Sequence, residues 1–203
     1  MLAPAANLLK KAQRRLWMKY ALTRTRGVDA RVGYELAYRI RDPWDMDSTL
    51  ERTRFEATNR LIERHLGPVD TLLEVGCGEG HQSQYLAQAC NRLHGIDVSP
   101  QAVARARDRL PEARFEVADI HTQPWGTGRH AFDLVTACEM LYCLPDPTPV
   151  LGQMQHLGRR GLVTFFSPAC RRLQSCLVDI PGLQRDWICC GGTVWLVAWW
   201  RHD

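Results

Sequence analysis

Residues 72–85 read LLEVGCGEGHQSQY, with glycines at 76, 78 and 80 and Glu74 two places before the first. Lacking Cβ atoms, glycines at alternate positions let a backbone turn sharply and approach a ligand closely. Glu74 brings a carboxylate to the same turn, where it repels a pyrophosphate and welcomes an ammonium group. Further acids follow at roughly regular intervals: Asp97, Asp119 and Glu139. An acid at the Asp97 spacing suits hydrogen bonds from ribose hydroxyls. Asp119 can accept from an adenine amino group, with the Ile120 N–H donating to a ring nitrogen.

These residues need elements that bring them to one place, and the flanking sequence supplies them. TLLEVGC (71–77), RLHGIDV (92–98), RFEVADI (114–120), FDLVTACE (132–139) and GLVTFFS (161–167) are short apolar runs read as strands. Helical segments are expected between them at 81–90, from Gln101 after Ser99 at the N-cap and Pro100 at N1, at 147–156, and at 169–178. DWICC (186–190) and TVWLVAWWR (193–201), joined by Gly191-Gly192, read as a hairpin. The alternation predicts an α/β fold: a doubly wound, mostly parallel sheet of seven strands with helices on both faces and an antiparallel C-terminal strand. In such a sheet ligands bind outside the carboxyl ends of the strands. Each singled-out acid falls at such an end.

A dinucleotide turn of the form G-x-G-x-x-G would place its third glycine at position 81, which is His81. Together with Glu74, this disfavours a nicotinamide-dependent oxidoreductase. S-adenosylmethionine carries an α-ammonium, a sulfonium and no phosphate, so the charge pattern favours it. The expected cofactor-binding set is Glu74, Gly76, Cys77, Gly78, Gly80, Asp97, Val98, Asp119 and Ile120.

The motifs LLEVGCGEG, LHGIDVS, RFEVADI and FDLVTACEMLYCL resemble those of class I S-adenosylmethionine-dependent methyltransferases. The resemblance implies a Rossmann-like fold, with the glycine loop and Glu74 holding the methionine part, Asp97 the ribose, and Asp119 and Ile120 the adenine. DPW (42–44) and CEMLYCL (138–144) are similar to the nodulation protein S group, which implies N-methylation of the amino sugar of a deacetylated chitooligosaccharide.

Methyl transfer needs an acceptor lone pair aligned with the reactive methyl, and an amine or hydroxyl acceptor can need a base. Glu139, at the mouth of the fourth strand, is the candidate base, with a turn-capping carboxylate as the alternative. Tyr142 can line the acceptor pocket, and His121 can act as an acid–base group or cover the adenine. Trp44 reads as an aromatic anchor between arm and core, with closure over the cofactor or substrate as the alternative that the DPW resemblance implies. The fourth strand lacks the [NDS]-P-P-[YF] ending of enzymes acting on exocyclic base amines, and there is no Pro-Cys pair for cytosine C5 chemistry. No carboxylate or His cluster suggests a metal. A small-molecule or saccharide acceptor is expected.

The 203 residues, 45% of them hydrophobic, suit one domain with a full core. No apolar run approaches the ~20 residues that cross a bilayer, so the chain reads as cytoplasmic. The eight cysteines form no C-x-x-C pair and read as reduced thiols. Residues 1–41 hold ten Lys/Arg against Asp29 and Glu35, a net +8 within a total of +4, which leaves −4 elsewhere. Hence the expected organisation is a basic helical extension, 1–41, and a methyltransferase domain, 42–203. A helix from Pro4 to about Leu22 places Leu9, Leu16, Trp17 and Tyr20 on one face, read as a docking surface. Its basic residues leave two other readings open: RNA bound by the arm, or peripheral contact with a membrane. A cofactor-binding scaffold without turnover is the non-enzymatic alternative.

Overall fold

The computed structural model describes residues 3–24, 30–122 and 128–202. It divides into two compact units, Met1–Met46 and Asp47–Asp203. In the first unit, helix α1 (Ala3–Arg24) packs on α2 (Ala30–Ala37). Trp17 Nε1 donates to the Ala37 carbonyl at 3.3 Å, and Ala21 is fully buried. Leu16 and Tyr20 depart from the expected docking face, being 69% and 47% exposed. The side chains of Leu9 and Lys10 lie outside the described residues. Among the described residues no helix is long and apolar enough to cross a membrane.

The second unit is built on one seven-stranded sheet. Its strands are β1 (Thr71–Val75), β2 (Arg92–Asp97), β3 (Arg114–Val117), β4 (Phe132–Cys138), β5 (Gly158–Phe166), β6 (Gln184–Cys190) and β7 (Thr193–Arg201). They lie in the order β3-β2-β1-β4-β5-β7-β6. All neighbouring pairs from β3 to β5 are parallel, and β7 runs antiparallel to both β5 and β6. Strand order therefore reverses between β1 and β4, where a doubly wound sheet opens its crevice. Gly191 and Gly192, with φ of 54° and 77°, make the hairpin turn that the sequence predicts.

Both faces of the sheet are buried, which explains the near-continuous apolar runs of its central strands. One face is covered by α6 (Thr148–Leu157) and α7 (Cys170–Leu177), packing residues such as Met154 and Leu173 against Val135, Val163 and Trp200. The other carries α3 (Thr49–Leu61) and α5 (Pro100–Arg109) over Leu72, Leu134, Leu162 and Val197. Ser48 caps α3 by accepting from the Glu51 N–H, and Ser99 caps α5 by accepting from Ala102. Glu51 does not complete a reciprocal capping box; its carboxylate turns to Arg54 instead. After α3 the chain winds through one wide turn, Ile62–Leu66, which Gly67 ends at φ 69°.

The segment expected as a helix over 81–90 is shorter. Only Ser83–Leu86, α4, is α-helical. Gln88 and Ala89 donate three residues back, to Tyr85 and Leu86, so the turn tightens and stops. Several strands also end earlier than predicted. β1 stops at Val75 because Gly76 turns out of the sheet at φ 75°.

Candidate active site

The glycine loop lies at the carboxyl end of β1. Gly76, Gly78 and Gly80 all take left-handed conformations, φ 75°, 55° and 78°. The N–H groups of Gly76 and Cys77 both donate to the Ile96 carbonyl of β2, at 2.8 and 2.9 Å. A Cβ on Gly76 would come within 3.0 Å of Met140 Cγ, and one on Gly80 within 3.1 Å of Ala106 Cα. Glycine is therefore required by conformation and by close approach, from Met140 after β4 on one side and from α5 on the other. Cys77 is buried in the core, and its thiol is pushed up by burial.

Glu74 is 2% exposed and accepts a hydrogen bond from the Ser83 hydroxyl. Burial pushes its carboxyl up to about 8; the Ser83 bond works against this, and the nearby Asp97 charge adds to it. An acid so placed gains from an arriving cation. Because α4 has only four residues, its dipole contributes little here.

Asp97 ends β2 and is held on both oxygens: Oδ2 accepts from Gly78 N–H and Oδ1 from Ser99 N–H, each at 2.9 Å. Val98 beside it is half-buried. Asp119 follows β3, where its Oδ1 accepts from the His121 N–H at 3.0 Å. Ile120 is buried, whereas His121 sits on an exposed turn. The β1–β2 register pairs Glu74 with Gly95, and the β2–β3 register pairs Asp97 with Val117. The cofactor candidates thus stand along adjacent strand ends.

Glu139 follows β4 with φ 57°, an unfavourable conformation for a residue with a Cβ. The strain is held by β5. Glu139 N–H donates to the Thr164 carbonyl at 3.1 Å. Its Oε1 accepts from Thr164 Oγ1 at 3.0 Å, and its Oε2 from the Phe166 N–H at 3.0 Å and from the Tyr142 hydroxyl at 3.2 Å. A carboxylate has about four lone-pair sites, so three donors leave one. Burial raises the Glu139 carboxyl and the nearby Arg54 charge opposes that rise. The Tyr142 phenol is raised by burial and by Glu139, so it stays a donor.

Sequence reasoning passed over Arg54. It is 1% exposed, its Nε donates to Glu51 at 2.7 Å, and its Nη1 donates to Gln82 Oε1 at 2.8 Å. Burial opposes its charge, but Glu51 and Glu139 outweigh that and hold it firmly protonated. A signal existed: Arg54 sits four and eight residues before Thr58 and Ile62, on the buried face of α3. A charge on an apolar face asks for a partner. His81, also buried, is within 2.8 Å of Arg109 Nη2 and 3.5 Å of Asp47, an anchoring role beneath the loop.

Residues 73–165 match a family described as a methyltransferase domain. Nodulation protein S of Sinorhizobium fredii is 36% identical over 153 residues, spanning 68% of this chain and 69% of the relative. The chain belongs to the class I S-adenosylmethionine-dependent methyltransferases and is similar to nodulation protein S. The crystal structure of N-methyltransferase NodS from Bradyrhizobium japonicum with S-adenosyl-L-homocysteine superposes with a TM-score of 0.67 at 26% identity, covering 86% of this chain and 99% of that one. A ubiquinone biosynthesis O-methyltransferase of Aromatoleum aromaticum is 33% identical over 156 residues, 74% of this chain and 65% of the relative. The chain spans between 44% and 69% of the nodulation protein S relatives that it matches. S-adenosylmethionine is the cofactor of this methyltransferase, and the residues present suit it: a turn of three left-handed glycines at the carboxyl end of β1, and a buried acid, Glu74, for its ammonium.

Proposed function

We propose that this methyltransferase modifies a nitrogen of an amino sugar in a small saccharide. The observation that carries the proposal is Glu139, a carboxylate locked at the acceptor end of β4 with one lone pair to spare. Likeness to the N-methyltransferase NodS supports nitrogen. The O-methyltransferase relative supports a second reading, a hydroxyl acceptor at the same site.

When bound, S-adenosylmethionine supplies an electrophilic methyl on a sulfonium with a neutral leaving group. This chain's residues hold and orient. Glu74 accepts from the amino group, and Arg54 offers a fixed cation for the carboxylate of the same zwitterion. Asp97 takes ribose hydroxyls, Asp119 the adenine amino group and Ile120 N–H a ring nitrogen, with Val98 alongside. Gly76, Cys77, Gly78 and Gly80 form the turn whose backbone comes up to the methionine part. Glu139 accepts the proton that the acceptor nitrogen loses, and Tyr142 fixes the carboxylate's aim. His121, on its exposed turn, has no part in proton transfer here. The basic extension, 1–41, takes no part in the chemistry proposed.

The test is methylation of a glucosamine tetrasaccharide by the whole chain, with the modified atom located by NMR. N-methylation supports the reading. Methylation confined to hydroxyls would move it to the second reading, and turnover only on RNA would overturn both.

A further inference from the structure

We propose that Phe166 is a rigid stacking platform for the sugar ring that carries the acceptor nitrogen, so that it sets acceptor affinity and not methyl transfer. This rests on the saccharide reading above. Phe166 is the last residue of β5 and is 42% exposed. Among the described residues, the other exposed large aromatics are Tyr20 in the first unit and Trp187 in the middle of edge strand β6. Phe166 is thus the one at the carboxyl edge of the sheet, where the acceptor must enter.

Its direction follows from strand alternation. Side chains at 164 and 166 point to the same face of β5. The Thr164 hydroxyl meets the Glu139 carboxylate on that face, so the Phe166 ring projects on the side of the proposed base. Across the ladder Phe166 pairs with Trp195, which is 2% exposed, and directly opposed residues on a sheet stand close enough for their side chains to interact. The backbone is fixed as well: Phe166 N–H donates to Glu139 Oε2 at 3.0 Å, and a 3-10 turn, Ser167–Ala169, begins at the next residue.

An aromatic left 42% exposed at a strand tip forgoes much of the stabilisation that full burial of its ring would bring. A pyranose has one face of axial C–H groups, apolar and slightly positive, that complements the negative face of an aromatic ring. A ring laid on Phe166 would present a substituent toward Glu139, and a preorganised platform binds without the cost of ordering a mobile side chain.

Steady-state kinetics with a glucosamine tetrasaccharide test this. Phe166→Ala should raise KM for the saccharide about 10-fold or more, leave kcat within about 3-fold, and leave S-adenosylhomocysteine affinity unchanged; Phe166→Trp should restore KM. On the unmodified protein, saturation-transfer NMR should show strongest transfer to H1, H3 and H5 of one sugar unit. An unchanged KM in Phe166→Ala, equal damage from Ala and Trp, or even transfer over all ring protons would overturn the platform while leaving the saccharide reading intact. Wild-type protein that neither binds nor methylates the saccharide would overturn that reading, and the platform with it.

Discussion

The Gly78 N–H donates to Asp97 Oδ2 at 2.9 Å, so the glycine loop and the acid ending β2 form one unit. The other Asp97 oxygen is engaged by Ser99 N–H at the start of α5. Asp97 therefore orders the site before any ribose arrives. Asp97→Ala should weaken S-adenosylhomocysteine binding by about 1–3 kcal/mol, the cost of stripping a partner from buried polar groups. Calorimetry would show it. A loss confined to acceptor affinity would remove Asp97 from the cofactor site.

The glycines should differ in how they fail. A methyl at Gly80 meets Ala106 Cα, a helix backbone that cannot yield, whereas one at Gly76 meets the flexible Met140 side chain. Both positions also carry a left-handed penalty of about 1–2 kcal/mol for a residue with a Cβ. Gly80→Ala is expected to lower the melting temperature more than Gly76→Ala. Gly78→Val, with φ 55° and a branched side chain in the ligand's space, should abolish cofactor binding. Melting curves with and without S-adenosylhomocysteine separate these effects.

Much of this site was legible in the sequence because its parts are local. Three glycines after an apolar run, and an acid at each of the next strand ends, need no knowledge of tertiary contacts. The strands were visible because both sheet faces are buried. What escaped depends on long-range pairing. Arg54 meets Gln82 across 28 residues, and Glu139 owes its left-handed backbone to Thr164 and Phe166 on another strand. The helix predicted over 81–90 shrank to α4 because hydrogen bonds to Tyr85 and Leu86 tighten its end, a competition that composition does not reveal.

Glu74 predicts a pH dependence with a definite sign. Its folded value is about 8 against an ordinary 4.5. Between those values the folded chain keeps a proton that the unfolded chain releases, so Glu74 makes stability fall as pH rises through that window and level off above it. Glu74→Gln should flatten this slope in thermal melts of the free protein. An ammonium partner would draw the proton off, so cofactor binding should release a proton below about pH 8 and tighten as pH rises toward it. Calorimetry in two buffers of different ionisation enthalpy counts that proton; a count of zero would argue against Glu74 facing a cation.

Arg54 is a buried charge whose replacement strands its partner. Removing one partner of a buried ion pair costs about 3–5 kcal/mol, and the partial exposure of Glu51 places this pair at the lower end, about 3 kcal/mol. Arg54→Met should therefore destabilise strongly in urea titrations. Arg54→Lys keeps the charge but not the fork that reaches both Glu51 and Gln82. It should fold and still bind S-adenosylhomocysteine more weakly than the unmodified protein. Unaltered affinity would restrict Arg54 to a structural role.

Glu139→Gln tests the proposed base with little disturbance. The amide oxygen can accept from Phe166 N–H and Tyr142, while its NH₂ meets the Thr164 hydroxyl, which can rotate to accept. The fold and the left-handed turn should survive. Turnover should drop by about 100-fold or more, the range for losing a general base, with S-adenosylhomocysteine affinity unchanged. Because burial holds the Glu139 carboxyl above its usual range, with Arg54 opposing, wild-type kcat should fall as pH drops through that raised value. The glutamine variant should lack this limb. A variant that turns over at the wild-type rate, or keeps the limb, would leave Glu139 as a clasp between β4 and β5 and send the search for the base elsewhere.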